Sequence, residues 1–191
     1  MSAALLGRPV PLTADHDISG FACHHIALTQ WLQRRALANA ASGATRTYVV
    51  CAERRRVVGY YALAAGAVDL ASAPARLRRN RPDSPPVIVL GRLAVHDEGS
   101  GRGIGSGLLK DAVLCAIQAA ELIGACALLC HAIDEEAKAF YLKHGFAESP
   151  LHALTVMLGL AVRGAGRRPQ RTPSSTLVGP HAGVIHFVNT L

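Results

Sequence analysis

The sequence predicts an α/β fold with a single mixed, twisted β-sheet flanked by helices. Three observations support this class. β-rich runs alternate with helical patterns, one run is nearly all apolar, and 50% of the residues are hydrophobic against 17% charged. A chain of 191 residues provides one domain of ordinary size. No stretch approaches the ~20 apolar residues of a membrane span, and the N-terminus lacks a secretory pattern. We therefore expect a cytoplasmic protein that makes no contact with membranes.

The elements follow from periodicity, caps and breakers. Before residue 86 the pattern predicts a short strand (9–12), one long helix (21–41, ended by Gly43), and a hairpin (47–52 with 57–65), followed by an irregular segment (66–86). After it come a buried strand (87–95), a glycine turn (99–107), a helix (108–123), a second buried strand (125–132), a helix capped by Asp134 (135–144) and a last strand (154–160).

The composition changes at residue 161. From there to residue 191 the chain is rich in Gly, Arg, Pro and Ser and contains four arginines and no acid. These arginines supply more than half of the formal net charge of +7. We expect residues 1–160 to form the domain and residues 161–191 to be a loosely attached basic tail.

The cysteines argue against a metal centre. There are five of them, an odd number, they lie in apolar runs, and they show no paired CxxC spacing. We expect buried free thiols, with neither a disulfide framework nor a zinc site.

The glycine turn is where the sequence points to chemistry. An apolar strand enters it and an amphipathic helix leaves it, so backbone amides and a helix N-terminus converge as they do around a pyrophosphate. Its position after the fourth strand, without a Walker lysine, is unlike Rossmann and P-loop nucleotide sites. The alternative is that the turn only packs strand against helix. The predicted ligand residues are Arg102, Gly103, Ile104, Gly105, Ser106 and Gly107.

Two motifs carry a family resemblance. RGIGSG at 102–107 matches the R/Q-x-x-G-x-G/A signature of GNAT acetyltransferases, and AKAFYLKHGF at 137–146 matches their A-x-x-F-Y-x-x-x-G-F signature. The resemblance covers roughly residues 10–160. Further runs resemble the GNAT toxins of bacterial toxin–antitoxin pairs: RTYVVC, VGYYAL, VLGRLAV and HAIDEE. The basic tail departs from that pattern.

This resemblance implies an acetyl-CoA-dependent N-acetyltransferase of the GNAT fold. A toxin of this kind acetylates the α-amine of aminoacyl-tRNA and blocks translation. It implies a ribbon–helix–helix antitoxin and a homodimer as partners. The alternatives are a GNAT enzyme for a small amine or a protein N-terminus, and, from another class, a non-catalytic acyl-CoA-binding module.

The resemblance also assigns roles to residues. Leu93, Ala94 and Val95 are expected to offer backbone groups to the pantetheine arm, and Tyr141 is the candidate general acid. Tyr141 is otherwise a core aromatic. No general base stands out. His131 and the acids 134–136 are possible, although helix capping explains the acids. An α-amine with a pKa near 7.7–8.0 needs less help from a base than a lysine does.

A group of arginines indicates a polyanionic substrate. Four of them fall within six residues that contain no acid, and a fifth lies in the next strand: Arg76, Arg78, Arg79, Arg81 and Arg92. Guanidinium groups suit phosphodiester contacts, so we expect these residues to bind RNA. The alternative is a solvated charge run.

Overall fold

The protein is described by a computed structural model over residues 6–78 and 83–160. Its strands are β1 (Val10–Pro11), β2 (Arg46–Cys51), β3 (Val57–Ala67), β4 (Pro86–Val95), β5 (Ala127–His131), β6 (Ala147–Glu148) and β7 (Thr155–Gly159). Its helices are α1 (Ile26–Arg34), α2 (Ala36–Ser42), α3 (Ala75–Arg78), α4 (Ile104–Ile123) and α5 (Glu135–Lys143). Among the helices of these two ranges, none is long and apolar enough to cross a membrane.

The strands form one sheet in the order β1-β2-β3-β4-β5-β7-β6. β4 and β5 run parallel, and the other neighbouring pairs are antiparallel. The predicted mixed sheet is therefore confirmed, and β4 occupies its centre. The predicted hairpin is also confirmed as β2 and β3.

Helices cover both faces of the sheet. On one face, α4 and α5 bury Leu108, Leu109 and Tyr141 against the central strands. On the other, α1 and α2 bury Trp31 and Leu32 against β2, β3 and β4. Since β4 is packed from both sides, its continuous apolar run is explained.

The single helix predicted over residues 21–41 is wrong. Residues 21–25 precede the first helix, which begins at Ile26, and the helical path breaks at Arg35, where φ is −121° and ψ is −29°. Phe21 is 1% exposed, and the Gln33 side chain donates a hydrogen bond to its carbonyl. These tertiary contacts hold the segment outside the helix. Gly43 ends α2 in a left-handed conformation, as predicted.

Two further boundaries differ from the prediction. The segment 66–86 is not wholly irregular, because β3 continues to Ala67 and α3 forms before β4. α4 begins at Ile104, four residues earlier than expected, so the last glycines of the predicted turn belong to its first helical turn. The predicted tail, 161–191, lies outside the described residues.

Candidate active site

The two parallel strands separate part-way along their length. β4 pairs with β5 only over Ile88, Val89 and Leu90 within the described structure. At this point the ladder with β3 shifts register: Leu63 is opposite Leu90, and Ala62 is opposite Arg92, so Gly91 is an extra residue. β4 then continues to Val95 alongside β3. We call the resulting gap between the end of β4 and β5 the notch.

The edge of β4 that faces the notch carries free backbone groups. The His96 amide donates to the Val58 carbonyl at 2.9 Å, and Ala94 lies opposite Tyr60 in the same alternation. The peptide groups of Ala94 and His96 are therefore directed toward β3. Those of the alternate residues, Leu93 and Val95, are directed into the notch. An extended ligand with amide groups can pair there like an added strand. Of the three residues predicted to bind pantetheine, Leu93 and Val95 present backbone groups to the notch, whereas the backbone groups of Ala94 are directed toward β3.

A helix N-terminus stands beside the notch. Gly101 and Gly103 have φ values of 73° and 79°, a conformation that favours glycine and turns the chain into α4. Gly103 is the N-cap and gives no side-chain cap, and the first turn contains no acid. The first helical hydrogen bond joins the Gly107 amide to the Gly103 carbonyl at 3.1 Å. The preceding amides, including those of Ile104, Gly105 and Ser106, therefore remain available to an anion.

The glycines inside α4 leave space for a ligand. A Cβ at Gly107 would meet nothing within 4 Å, and one at Gly105 would make ordinary contacts of 3.7–3.9 Å with Val95 and Phe140. The fold thus does not need these positions to be glycine for packing. Because these two residues have no side chains, the surface above their amides stays open, as the approach of a pyrophosphate requires. This helix start fits the phosphate end of acetyl-CoA.

The side chains of the predicted phosphate site have different surroundings. Arg102 is exposed, whereas Ile104 packs inward against the sheet and can contribute only its amide. The Ser106 hydroxyl lies 3.1 Å from Nε2 of His144. Nδ1 of His144 is 2.8 Å from the Phe140 carbonyl and carries the proton, so Nε2 accepts from the serine. Ser106 thereby joins the start of α4 to the end of α5.

Tyr141 lies at the root of the notch. It is 6% exposed, and it lies close enough to the Cys130 thiol for each group to influence the pKa of the other. Cys130 is opposite Leu90, the last residue of β4 that pairs with β5. Burial, with the neighbouring thiol, raises the pKa of Tyr141 well above its ordinary value, and burial raises that of Cys130 to about 12. The tyrosine is therefore a protonated hydroxyl that can donate a hydrogen bond to a leaving thiolate.

The residues considered as bases have structural partners. Asp134 caps α5 by accepting the Ala137 amide at 2.8 Å, as predicted, and Nδ1 of His131 is 2.8 Å from the Thr155 hydroxyl. Burial, followed by the nearby His152, lowers the pKa of His131 and favours its neutral form. The structure adds His25, whose Nε2 lies 3.3 Å from Asp134 Oδ2. No sequence pattern indicated this contact, because it joins segments far apart in the chain.

Among the described residues, the predicted RNA-binding arginines lie in two places, Arg76 and Arg78 in α3 and Arg92 in β4. Arg78 Nε donates to the Ala73 carbonyl at 2.9 Å, and Arg76 Nη2 donates to the Gly145 carbonyl at 3.4 Å. Arg79 and Arg81 lie outside the described residues. Arg92 lies on β4 beside the notch, with its guanidinium carbon 4.5 Å from the centre of the Trp31 ring. Burial lowers its pKa, and among the described residues it has no carboxylate partner.

Comparisons with known proteins agree with this geometry. Residues 44–148 match the model of the acetyltransferase (GNAT) domain. The chain is 49% identical over 150 residues to a tRNA-acetylating toxin of Mycobacterium tuberculosis, which covers 78% of this chain and 90% of that protein. It is 27% identical over 156 residues to a probable toxin, TacT, of Sinorhizobium fredii, covering 76% of this chain and 86% of that protein.

Solved structures show the same fold. AtaT complexed with acetyl-methionyl-tRNAfMet superposes with a TM-score of 0.74 at 26% identity, covering 79% of this chain and 93% of that one. A tyrosine-to-phenylalanine mutant of AtaT, bound to the C-terminus of the antitoxin AtaR and acetyl-CoA, gives a TM-score of 0.67 at 27% identity, covering 80% of this chain and 92% of that one. By sequence, fold and the open notch beside a bare helix N-terminus, the chain belongs to the GNAT family of acetyltransferases.

Proposed function

We propose that this protein transfers the acetyl group of acetyl-CoA to the α-amine of aminoacyl-tRNA and acts as a toxin that blocks translation. The observation that carries this proposal is the 49% identity to a tRNA-acetylating toxin, which extends across the notch, the phosphate turn and Tyr141. The acceptor chemistry is consistent with it. An α-amine needs little deprotonation near neutral pH, and the described part of the notch holds no strong buried base.

Different residues are assigned to different parts of the acetyl transfer. The backbone of Leu93 and Val95 positions the pantetheine arm, and the first amides of α4 hold the pyrophosphate. The amine nitrogen then forms a bond to the acetyl carbon while the carbon–sulfur bond breaks. Tyr141 gives its proton to the departing sulfur, and its buried hydroxyl stays protonated until that moment. No metal is proposed for this step, because protonation of the departing sulfur by Tyr141 allows coenzyme A to leave as a thiol.

The arginines and the partners complete the proposal. Arg92 at the notch is assigned to the acceptor end of the tRNA, and Arg76 with Arg78, Arg79 and Arg81 to phosphates farther along it. We also propose a ribbon–helix–helix antitoxin, a homodimer, and action in the cytoplasm, where aminoacyl-tRNA is found. The segment 161–191 is proposed to be dispensable for acetyl transfer.

The decisive experiment is acetyl transfer with defined acceptors. Purified protein is mixed with acetyl-CoA labelled in its acetyl group and with aminoacyl-tRNA, deacylated tRNA, a peptide with a free N-terminus, or a small diamine. Label is expected in aminoacyl-tRNA alone, and it should leave the tRNA with the amino acid on mild alkaline hydrolysis. Label in the peptide or the diamine instead would support the small-amine enzyme. No release of thiol with any acceptor would support the binding module.

A further inference from the structure

The segment that leads into α1 crosses the open end of the notch. At one side it lies against the end of β4, where Nε2 of His96 is 3.2 Å from the Gly20 carbonyl and the Asp97 amide donates to the Ala22 carbonyl at 3.0 Å. At the other side, His25 reaches Asp134 at the start of α5. Since β4 and α5 border the notch, an acceptor must pass this segment to reach the acetyl group.

The segment is held in place by hydrogen bonds of its own. The Cys23 amide donates to the Thr29 hydroxyl at 3.0 Å, and the Cys23 thiol donates to the His25 carbonyl at 3.4 Å. Phe21 is buried beneath it, in edge-to-face contact with Tyr60 at 5.5 Å. His25 is therefore presented from an ordered turn.

Asp134 orients the imidazole of His25. Its Oδ1 is fixed by the Ala137 amide, which leaves Oδ2 to face Nε2 of His25 at 3.3 Å. With Nε2 donating to the carboxylate, Nδ1 carries the free lone pair, and no described residue donates to it. Both side chains are partly exposed, at 34% and 42%, so a substrate can reach them. The other titratable group beside His25 is His24, whose ring centre is 5.1 Å away.

The pair and Tyr141 face the same region. Asp134 is the N-cap of α5, and Tyr141 lies within the helix seven residues later. This spacing of about two turns places them on about the same side of the helix and roughly 10 Å apart along its axis. The acceptor amine would then lie beside the imidazole at the start of α5, and the sulfur of the thioester would lie toward Tyr141. The imidazole would accept a proton from the incoming amine, and Tyr141 would donate a proton to the departing sulfur. Amide formation from a thioester requires both proton transfers.

We propose that Nδ1 of His25, oriented by Asp134, accepts a proton from the acceptor α-ammonium group; this inference rests on the proposed function. The freed amine nitrogen bonds to the acetyl carbon as the carbon–sulfur bond breaks. The Tyr141 proton passes to sulfur, and the tyrosinate recovers the proton that the new amide nitrogen loses. His25 then releases its proton to solvent. Thiol, amide and one proton are the products, and no further reactant is needed.

If the contact between His25 and Asp134 were purely structural, its removal would have little effect on the protein. A half-exposed contact between a histidine and a carboxylate contributes little to stability, so its loss would leave the fold intact. The chain also offers two well-matched variants. Asn caps a helix about as well as Asp, so Asp134→Asn keeps the cap but removes the charge. His24→Gln alters the adjacent histidine without touching the carboxylate.

The test compares the wild type with His25→Gln, Asp134→Asn and His24→Gln by kcat/KM for aminoacyl-tRNA between about pH 6 and pH 9, a range that spans the α-amine pKa. We expect His25→Gln to lose about 5- to 10-fold near pH 7, where an α-amine with a pKa of about 7.7–8.0 is roughly 10–20% neutral without help from the protein. The loss should vanish at the alkaline end, because there the amine arrives already neutral. Asp134→Asn should show a smaller loss with the same trend. His24→Gln should match the wild type, and acetyl-CoA affinity should be equal in all four proteins.

Equal kcat/KM for His25→Gln and the wild type at every pH would overturn the proposal, as would a pH-independent loss, which indicates a steric role. The proposed function fails separately, if the wild type does not acetylate aminoacyl-tRNA. The same four proteins are then compared with the amine that is acetylated, and the same two results decide the role of His25.

Discussion

At the scale of single residues, the two groups proposed to transfer protons in the notch differ in whether a sequence motif marks them. Tyr141 belongs to a recognisable motif, and its burial beside Cys130 keeps it protonated through the neutral range. His25 belongs to no motif, and its contact with Asp134 depends on how α1 and α5 are brought together by the sheet. A sequence pattern can therefore indicate the proposed proton donor, while the proposed proton acceptor emerges only from tertiary structure.

Tyr141→Phe should separate the catalytic role of the hydroxyl from the packing role of the ring. We expect kcat to fall by about 10²–10⁴, the usual contribution of a general acid. The fold and acetyl-CoA affinity should hold, because the ring keeps its contacts with Phe140 and Phe146. Thiol release and calorimetry measure the two quantities.

The matched control is Tyr48→Phe. That tyrosine stacks on Tyr61 at 5.0 Å, on β2 and away from the notch, so its hydroxyl should be dispensable for turnover. If Tyr141→Phe and Tyr48→Phe have the same kcat, Tyr141 is a packing residue.

At the scale of elements, the strand–turn–helix unit was predictable and its inner boundary was not. The apolar run of β4 and the cap at Asp134 are local signals, and both are confirmed. The start of α4 was misplaced because glycine usually favours a turn over a helix. Here Gly105 and Gly107 lie in the first helical turn, and a Cβ at Gly107 would meet open space.

The same lesson holds for the segment before α1. Its apolar spacing suits a helix, and local propensity gives no reason for the helix to begin only at Ile26. What holds residues 21–25 outside the helix is the burial of Phe21, together with contacts to β4 and α5. Such contacts depend on residues far away in sequence and override the local pattern.

Gly107→Glu tests the phosphate site at the start of α4. A Cβ there meets nothing within 4 Å, so the fold should survive, and any non-glycine residue other than proline favours the helix. A carboxylate above the amides would repel the pyrophosphate. We expect acetyl-CoA affinity to fall at least about tenfold, equivalent to about 1.4 kcal/mol. Calorimetric titration, with thermal unfolding as a check on the fold, measures this.

Gly107→Gln adds similar bulk without the charge and should lose less affinity than Gly107→Glu. If a folded Gly107→Glu protein binds acetyl-CoA with wild-type affinity, the pyrophosphate does not bind at this helix start.

At the scale of the whole molecule, the basic groups lie at two ends of the sheet. Arg92 is beside the notch, whereas α3 precedes β4 and packs near the start of β5, where Leu77 approaches Gly159. From Pro86 at the start of β4 to Arg92, the strand extends about 20 Å. A small amine occupies only the notch. A tRNA is large enough to place its acceptor end in the notch while its phosphates reach α3.

Charge reversal at Arg78 and Arg79 tests whether the distant arginines bind tRNA. The changes are made in a protein ending at Leu160, so that the arginines of the segment 161–191 cannot mask the effect. We expect weaker tRNA binding, unchanged acetyl-CoA affinity, and a shallower dependence of log K on log salt, by about 0.7–0.9 for each phosphate that the variant no longer neutralises. The control is the double change Arg54→Glu and Arg55→Glu in the turn between β2 and β3, which alters the net charge equally. If both double variants acetylate aminoacyl-tRNA at the rate of the truncated parent, the arginines near α3 are a solvated charge run.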